Sequence, residues 1–374
     1  MSLEIKEVSS QKELKRFIGF QYDLYKGNKY WIPPLRFDEL NTLRQDVNPA
    51  FEFCESKYWL AYKDNKIVGR VAGIINKKFN EKFNTKDARF GWIDFIDDNN
   101  VSSLLLKTVE AWALEKGMER LYGPLGFTDM DGEGLLIEGF NEVSTLGNIY
   151  NYPYYPKYIE ANDYKKDIDW IEYNVKAPEN IPEKIEKISE IALKRNHLRV
   201  PNFKKPKEVK PYAREIFYLI NETYKELYGF VELTDKQIDF YVKQYFSFIR
   251  PEYVPIVLDE KGKLAAFGIT MPSLNKALKK INGRLFPFGF ILILLEMKKS
   301  KNLDLYLTAV RTDLQNKGVN ALLINQIARV CIENKIQWVE TNRELETNEK
   351  IQSQWKIFDA RLHKRRRCYI KKLK

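Results

Sequence analysis

The chain is poor in the residues from which several kinds of site are built. Its 374 residues contain three cysteines, Cys54, Cys331 and Cys368, and no Cys-x-x-Cys pair. That excludes a disulfide framework and a thiolate zinc site. Two histidines, His197 and His363, exclude a histidine-rich metal centre, and a Ser-His-Asp arrangement would have to use one of them. No metal is expected. Long hydrophobic runs are also lacking. The most apolar window, 285–295 (LFPFGFILILL), is about half of the roughly 20 residues a membrane-spanning helix needs, and it contains Pro287 and Gly289. The opening stretch has no cationic segment leading into an apolar one, so the expectation is a cytoplasmic chain without a secretory signal.

What is present is ample core material: 44% apolar, 30% charged and 14% aromatic residues. This balance excludes global disorder, and the length suggests about two domains. The net charge of +11 is concentrated at one place. Residues 361–374 (RLHKRRRCYIKKLK) carry eight of the 62 basic residues and no acidic one. Such a patch attracts phosphate on RNA, on an anionic membrane or on a cofactor. The plainer expectation is the solvated face of a final strand.

Along the first half, residues 11–25 follow a helical pattern, and a proline-marked loop covers 31–34. Residues 58–62 and 66–75 read as a hairpin across 63–65, and 89–96 as a third strand. The acidic and amide residues 97–100 can cap a helix that Gly117 ends. A short strand at 118–122, an aromatic helix at 150–162 and a strand at 168–175 follow. Composition shifts at 178–182 (PENIP), a linker candidate. The second half repeats the order of elements: helices at 211–228 and from the capping box at Thr234 to about Ile249, then a hairpin, 253–258 with 264–271. After it come a strand (303–310), a helix (319–334), a strand (336–341), a helix (346–360) and a closing strand (367–373).

The sharpest local feature is the connection 310–320 (VRTDLQNKGVN), where a strand ends, a polar turn carries Gly318, and a helix starts at once. A helix N-terminus offers about four unpaired N–H groups and a positive partial charge, a setting for phosphate. Gly318 allows close backbone approach and Lys317 adds a cation.

Gln315-x-x-Gly318-x-Asn320, between such a strand and helix, resembles the pyrophosphate-binding motif of the GNAT acyltransferase superfamily. Glu346-Thr347-Asn348 stands where that family often has an asparagine touching the pantetheine arm. Segments 25–34 (YKGNKYWIPP), 68–72 (VGRVA), 151–155 (NYPYY) and 283–287 (GRLFP) resemble bacterial proteins with two GNAT-like halves. The resemblance implies a mixed α/β fold of two tandem GNAT-like domains, 1–177 and 178–374, each a twisted mixed sheet flanked by helices. It implies acetyl-CoA or another acyl-CoA as co-substrate, held by Thr308, Val310, Gln315, Asn316, Lys317, Gly318, Val319, Asn320 and Asn348. The chain departs from the pattern at Asn320, where a small residue is usual, and at Trp355, where many members carry a proton-donating tyrosine. The first-half turn, 97–102, is acidic and lacks both Gln and Gly, so only the second half is expected to take the donor.

Thioester aminolysis needs a held carbonyl, a base for the amine proton and optionally an acid for the thiolate. Glu340 is the base expected here, with Tyr369 and Tyr306 as acids. The expected acceptor is a small amine or amino-acid-like molecule. Two other readings remain: a ligand-binding protein that has lost the chemistry, and a Fem-type tRNA-dependent aminoacyl transferase, with nucleic acid as partner through the basic tail. Weaker features have plainer readings. Residues 129–134 (DMDGEG) fail the calcium-loop spacing and read as a turn held by Asp side chains. Tyr150, Tyr152, Tyr154, Tyr155 and Tyr158 read as core packing rather than pocket. The 285–295 window, flanked by lysines, could lie on a membrane surface, though burial or an acyl-chain wall is the first expectation.

Overall fold

A computed structural model describes residues 3–246 and 249–374. Thirteen strands form one continuous mixed sheet. They are β1 (Leu3–Glu7), β2 (Cys54–Lys63), β3 (Lys66–Asn76), β4 (Asp87–Phe95), β5 (Arg120–Gly123), β6 (Leu135–Glu138), β7 (Lys165–Lys176), β8 (Ile256–Leu258), β9 (Leu264–Pro272), β10 (Asn302–Val310), β11 (Trp338–Glu340), β12 (Glu344–Leu345) and β13 (Ala360–Lys372). The spatial order is β1-β2-β3-β4-β5-β13-β7-β11-β10-β9-β8, with β6 on β13 and β12 on β7.

Each half has the same scheme: antiparallel strands, then a parallel pair connected by a long helix. In the first half β4 and β5 are joined through the helix Asn99–Glu115, and in the second β10 and β11 through Val319–Glu333. The final strands are exchanged. β7, last before residue 178, lies against β11 of the second half, while β13, last of the chain, inserts between β5 and β7. The division at 177/178 therefore follows chain order, and the sheet knits the two halves at its centre.

This placement corrects the reading of the basic tail. It is a central strand, not a solvated face, because six of its eight cations, Arg361, Lys364, Arg365, Arg366, Arg367 and Lys371, meet acids of the first half. Arg366 and Lys364 are fully buried against Glu172 of β7. Burial alone would raise the Glu172 carboxyl, but the two cations pull it down to about 2. Arg367 forks onto Asp169 at 2.8 and 3.0 Å, and Lys371 reaches Glu110 at 2.9 Å.

Local chemistry explains most elements. Ser10 and Glu13 form a capping box for the helix Gln11–Leu24, and Thr234 with Gln237 does so for Asp235–Tyr245. The latter was expected to run to about Ile249; residues 247 and 248 lie outside the described residues. The helix expected at 346–360 is confined to Glu349–Trp355, since the strand pairing of β13 claims the chain from Ala360 onward. Of the tyrosine run, Tyr155 is fully buried and stacks on Phe95 at 4.1 Å, as core packing requires. Among the described residues, no helix is long and apolar enough to cross a membrane.

Candidate functional site

Between the halves lies a cavity of about 430 Å³ whose wall is drawn from both. Its polar end belongs mainly to the first half. Asp94 is held by Arg70 at 2.6 and 2.7 Å and by the Tyr25 hydroxyl at 2.8 Å. Glu39 accepts from Gln21 and Trp92, and burial lifts its carboxyl above the usual range. Burial likewise pushes Asp38 up to about 6.

The turn after β5 completes this end. Asp131 accepts the amides of Phe127 and Thr128 at 2.8 and 3.2 Å, so the turn is indeed tied by an aspartate. Gly126 is required beneath it, since a Cβ there would lie 2.2 Å from that of Asp131. Burial raises both Asp129 and Asp131 to about 6, with Arg343 opposing. Asp129 lines the cavity and accepts no hydrogen bond from any described residue. A carboxyl in that state is a base close to neutrality, the range in which general bases work best. The rest of the lining is largely apolar: Ile216 and Phe217 from one helix, and Leu274, Leu285, Ile293 and Met297, which pack with Ile32 and Leu35.

The second half brings its strand divergence to this cavity. β10 and β11 pair only over three residues, 302–304 with 338–340, and β10 carries a bulge between Leu305 and Leu307. Beyond it the strands part, and the Asn342 side chain donates to the Tyr306 carbonyl at 2.6 Å across the opening. Arg343, next in sequence, donates to the Asp131 carbonyl at 3.1 Å. The mouth of the divergence and the carboxylate turn are thus neighbours. Tyr306 and Leu307 line the cavity, and Val310 ends the strand about 10 Å further along.

The connection after Val310 has the features a diphosphate would need. Gly318 sits in the left-handed region at φ +79° as N-cap of Val319–Glu333, with no side chain capping the helix. A Cβ there would lie 3.0 Å from Ile188. Gln315, Asn316, Lys317 and Asn320 are exposed, whereas Val319 turns into the core. Among the described residues, no acceptor is recorded for the amides of 316–320. These residues fit the phosphate part of an acyl-CoA. Other expected contacts are already engaged: the Thr308 carbonyl accepts from Tyr224 at 2.9 Å, and the Asn348 side chain caps the helix Glu349–Trp355.

Of the three residues expected to carry chemistry, Tyr306 alone faces the cavity. Its hydroxyl is buried without a partner, and burial raises it well above 10. Glu340 is tied to Lys364, to His363 at 2.6 Å and to Asn174 at 3.1 Å, an ion-pair partner within the sheet. Tyr369 is in the first-half core and donates to Glu160 at 3.0 Å. Trp355 donates to Glu344 at 2.7 Å, away from the cavity wall. Sequence reasoning missed Asp129, Asp131, Asp38 and Glu39; the alternation Asp129-x-Asp131 was the available signal. Among the described residues, no group of three or more His, Cys, Asp or Glu side chains is gathered as a metal site would require.

The fold is that of tandem GNAT proteins. A tandem GNAT protein from the clavulanic acid biosynthesis pathway matches over 100% of this chain and 99% of its own, with a TM-score of 0.59 at 12% identity. A GCN5-related glucosamine N-acetyltransferase region of a fungal multi-domain GH3 β-N-acetylglucosaminidase matches 99% of this chain and 38% of that chain, with a TM-score of 0.55 at 12% identity. Two sequence relatives are more particular. Protein YghO of Escherichia coli (strain K12) is 29% identical over 371 residues, covering 97% of this chain and 94% of its own. Bacterial ceramide synthase of Caulobacter vibrioides (strain NA1000 / CB15N) is 26% identical over 329 residues, covering 86% and 84%. No protein-family model matches the chain.

Proposed function

We propose that this protein is an acyl-CoA-dependent N-acyltransferase whose acceptor is an amine carrying a long apolar tail. The observation that carries the reading is the cavity itself, with a largely apolar lining and, facing it, the Asp129 carboxyl, which has no hydrogen-bond donor among the described residues and is raised to about 6 by burial. Its carboxylates attract an ammonium group, and its apolar lining takes an aliphatic chain. The name of the ceramide synthase relative agrees with such an acceptor.

In this reading the donor's phosphates rest on Gln315–Asn320 and its thioester reaches the gap between β10 and β11. The bound ammonium first loses one proton to solvent; the neutral nitrogen then attacks the thioester carbon, the C–N bond forms and the C–S bond breaks. Asp129 accepts the proton from nitrogen. The Tyr306 hydroxyl, kept protonated by burial, donates a hydrogen bond to the leaving thiolate, which takes its proton from solvent. Glu340 and Tyr369 have no part in this scheme, and the cations behind the tRNA-dependent reading are paired within the sheet.

The test is release of free thiol from acyl-CoAs of increasing length, against long-chain alkylamines and polar amines such as glucosamine. The account expects turnover to rise with the apolar length of the amine. Turnover with glucosamine alone, or no thiol release above background with any amine, would contradict it.

A further inference from the structure

The helix Gly289–Lys299 is wholly apolar over residues 289–295, yet only one side of it is covered. Gly289, Ile293 and Met297 turn inward, and the last two line the cavity. The opposite stripe, Phe290, Ile291, Leu294 and Leu295, is exposed, and in the loop before it Phe286 and Phe288 are 70% and 72% exposed. Six large apolar side chains bare to solvent within ten residues form a patch that soluble surfaces seldom carry. Around it stand Lys276, Lys280, Arg284, Lys298 and Lys299, all exposed, and no ion pair among the described residues neutralises them.

We propose that this patch docks the protein onto an anionic lipid bilayer. Aromatic and aliphatic side chains on one face of a short helix, rimmed by cations, match the boundary between acyl chains and negatively charged headgroups. A second copy of the chain suits the patch less well. An isologous contact would bring the same five cations of each copy face to face, with only Glu296 of the helix to offset them. The placement has a consequence for access. The helix that touches the bilayer with one side lines the cavity with Ile293 and Met297 on the other, so a lipid-tailed amine leaves the membrane beside its binding site. The surface itself stands independently of the acyl-transfer reading, and its test needs no turnover.

The full chain is sedimented with vesicles of phosphatidylcholine alone and with vesicles that also contain phosphatidylglycerol. Binding to the anionic vesicles, weakened by salt, is expected. Phe286→Ser with Phe288→Ser should lower it about tenfold or more, and Lys298→Glu with Lys299→Glu by about tenfold. Both variants change exposed residues, and unaltered circular dichroism and melting temperature certify their folds. Absence of wild-type binding to either vesicle, or binding that survives both variants, overturns the proposal. So does a wild-type dimer in light scattering that the phenylalanine variant dissociates while vesicle binding stays absent, which would assign the patch to self-association.

Discussion

The two strand-to-helix connections of this molecule share an architecture and differ in how their ends are finished. In the first half, Asp98 caps its helix with its own carboxylate and is in turn paired with Lys63 at 2.9 Å. That N-terminus is closed and carries a negative charge. In the second half, Gly318 leaves the helix of Val319–Glu333 uncapped behind the exposed Lys317. The same scaffold thus repels an anion at one place and offers it amides at the other. A reciprocal difference holds inside the cavity, where the first half supplies the carboxylates and the second the strand divergence. In the reading proposed above, one half holds the donor and the other takes the proton.

The largest effect should come from the first half's side of that division. Asp129→Asn is expected to lower kcat about 10²- to 10⁴-fold while leaving acyl-CoA affinity unchanged. In the unaltered protein the rate should rise as the pH passes about 6 and then level off, and the variant should lose that rise. The stability sign is opposite. A carboxyl raised by folding binds more protons folded than unfolded, so its contribution fades as pH climbs through about 6. Asp129→Asn should therefore melt higher than the parent at pH 8, with the gap narrowing in acid, as calorimetric scans would record.

Next comes the seam that joins the halves. Glu172→Gln leaves Arg366 and Lys364 buried beside a neutral amide, and loss of about 3–5 kcal/mol in urea unfolding is expected. In the parent protein the Glu172 contribution is fully present above the ordinary carboxylate range and is lost as pH falls toward about 2. If Glu172→Gln unfolds only the second half, the exchanged strands do not couple the two. Asp98→Ala should have the smallest effect: about 1 kcal/mol of stability through the lost cap, and no change in donor binding.

Much of this architecture is legible in the residues. Capping boxes, the linker composition at 178–182 and the Gly318 connection announce their elements locally, and the repeated element order announces two similar halves. Strand exchange is not legible, because residues 165–176 and 360–372 are each good strands whichever half they join. The basic tail shows why. Eight cations within fourteen residues look solvated until acids such as Glu172, Asp169 and Glu110, nearly 200 or more positions away in sequence, come to meet most of them. The ion pairs of Glu340 are hidden for the same reason, since its partners His363 and Lys364 reach it only through β13. Asp129 hid in the opposite way. Its neighbour Asp131 does tie the turn, and nothing local distinguishes a carboxylate that ties a turn from one left open to a cavity.

The claim that the donor enters through the second half alone is tested most directly by calorimetric titration with a non-reactive thioether analogue of an acyl-CoA. The account predicts a single site per chain in the parent protein, retained in Asp98→Ala and Asp129→Asn and abolished in Gly318→Trp, whose side chain would meet Ile188 and cover the amides. Two sites per chain, or a single site that survives Gly318→Trp, would contradict it.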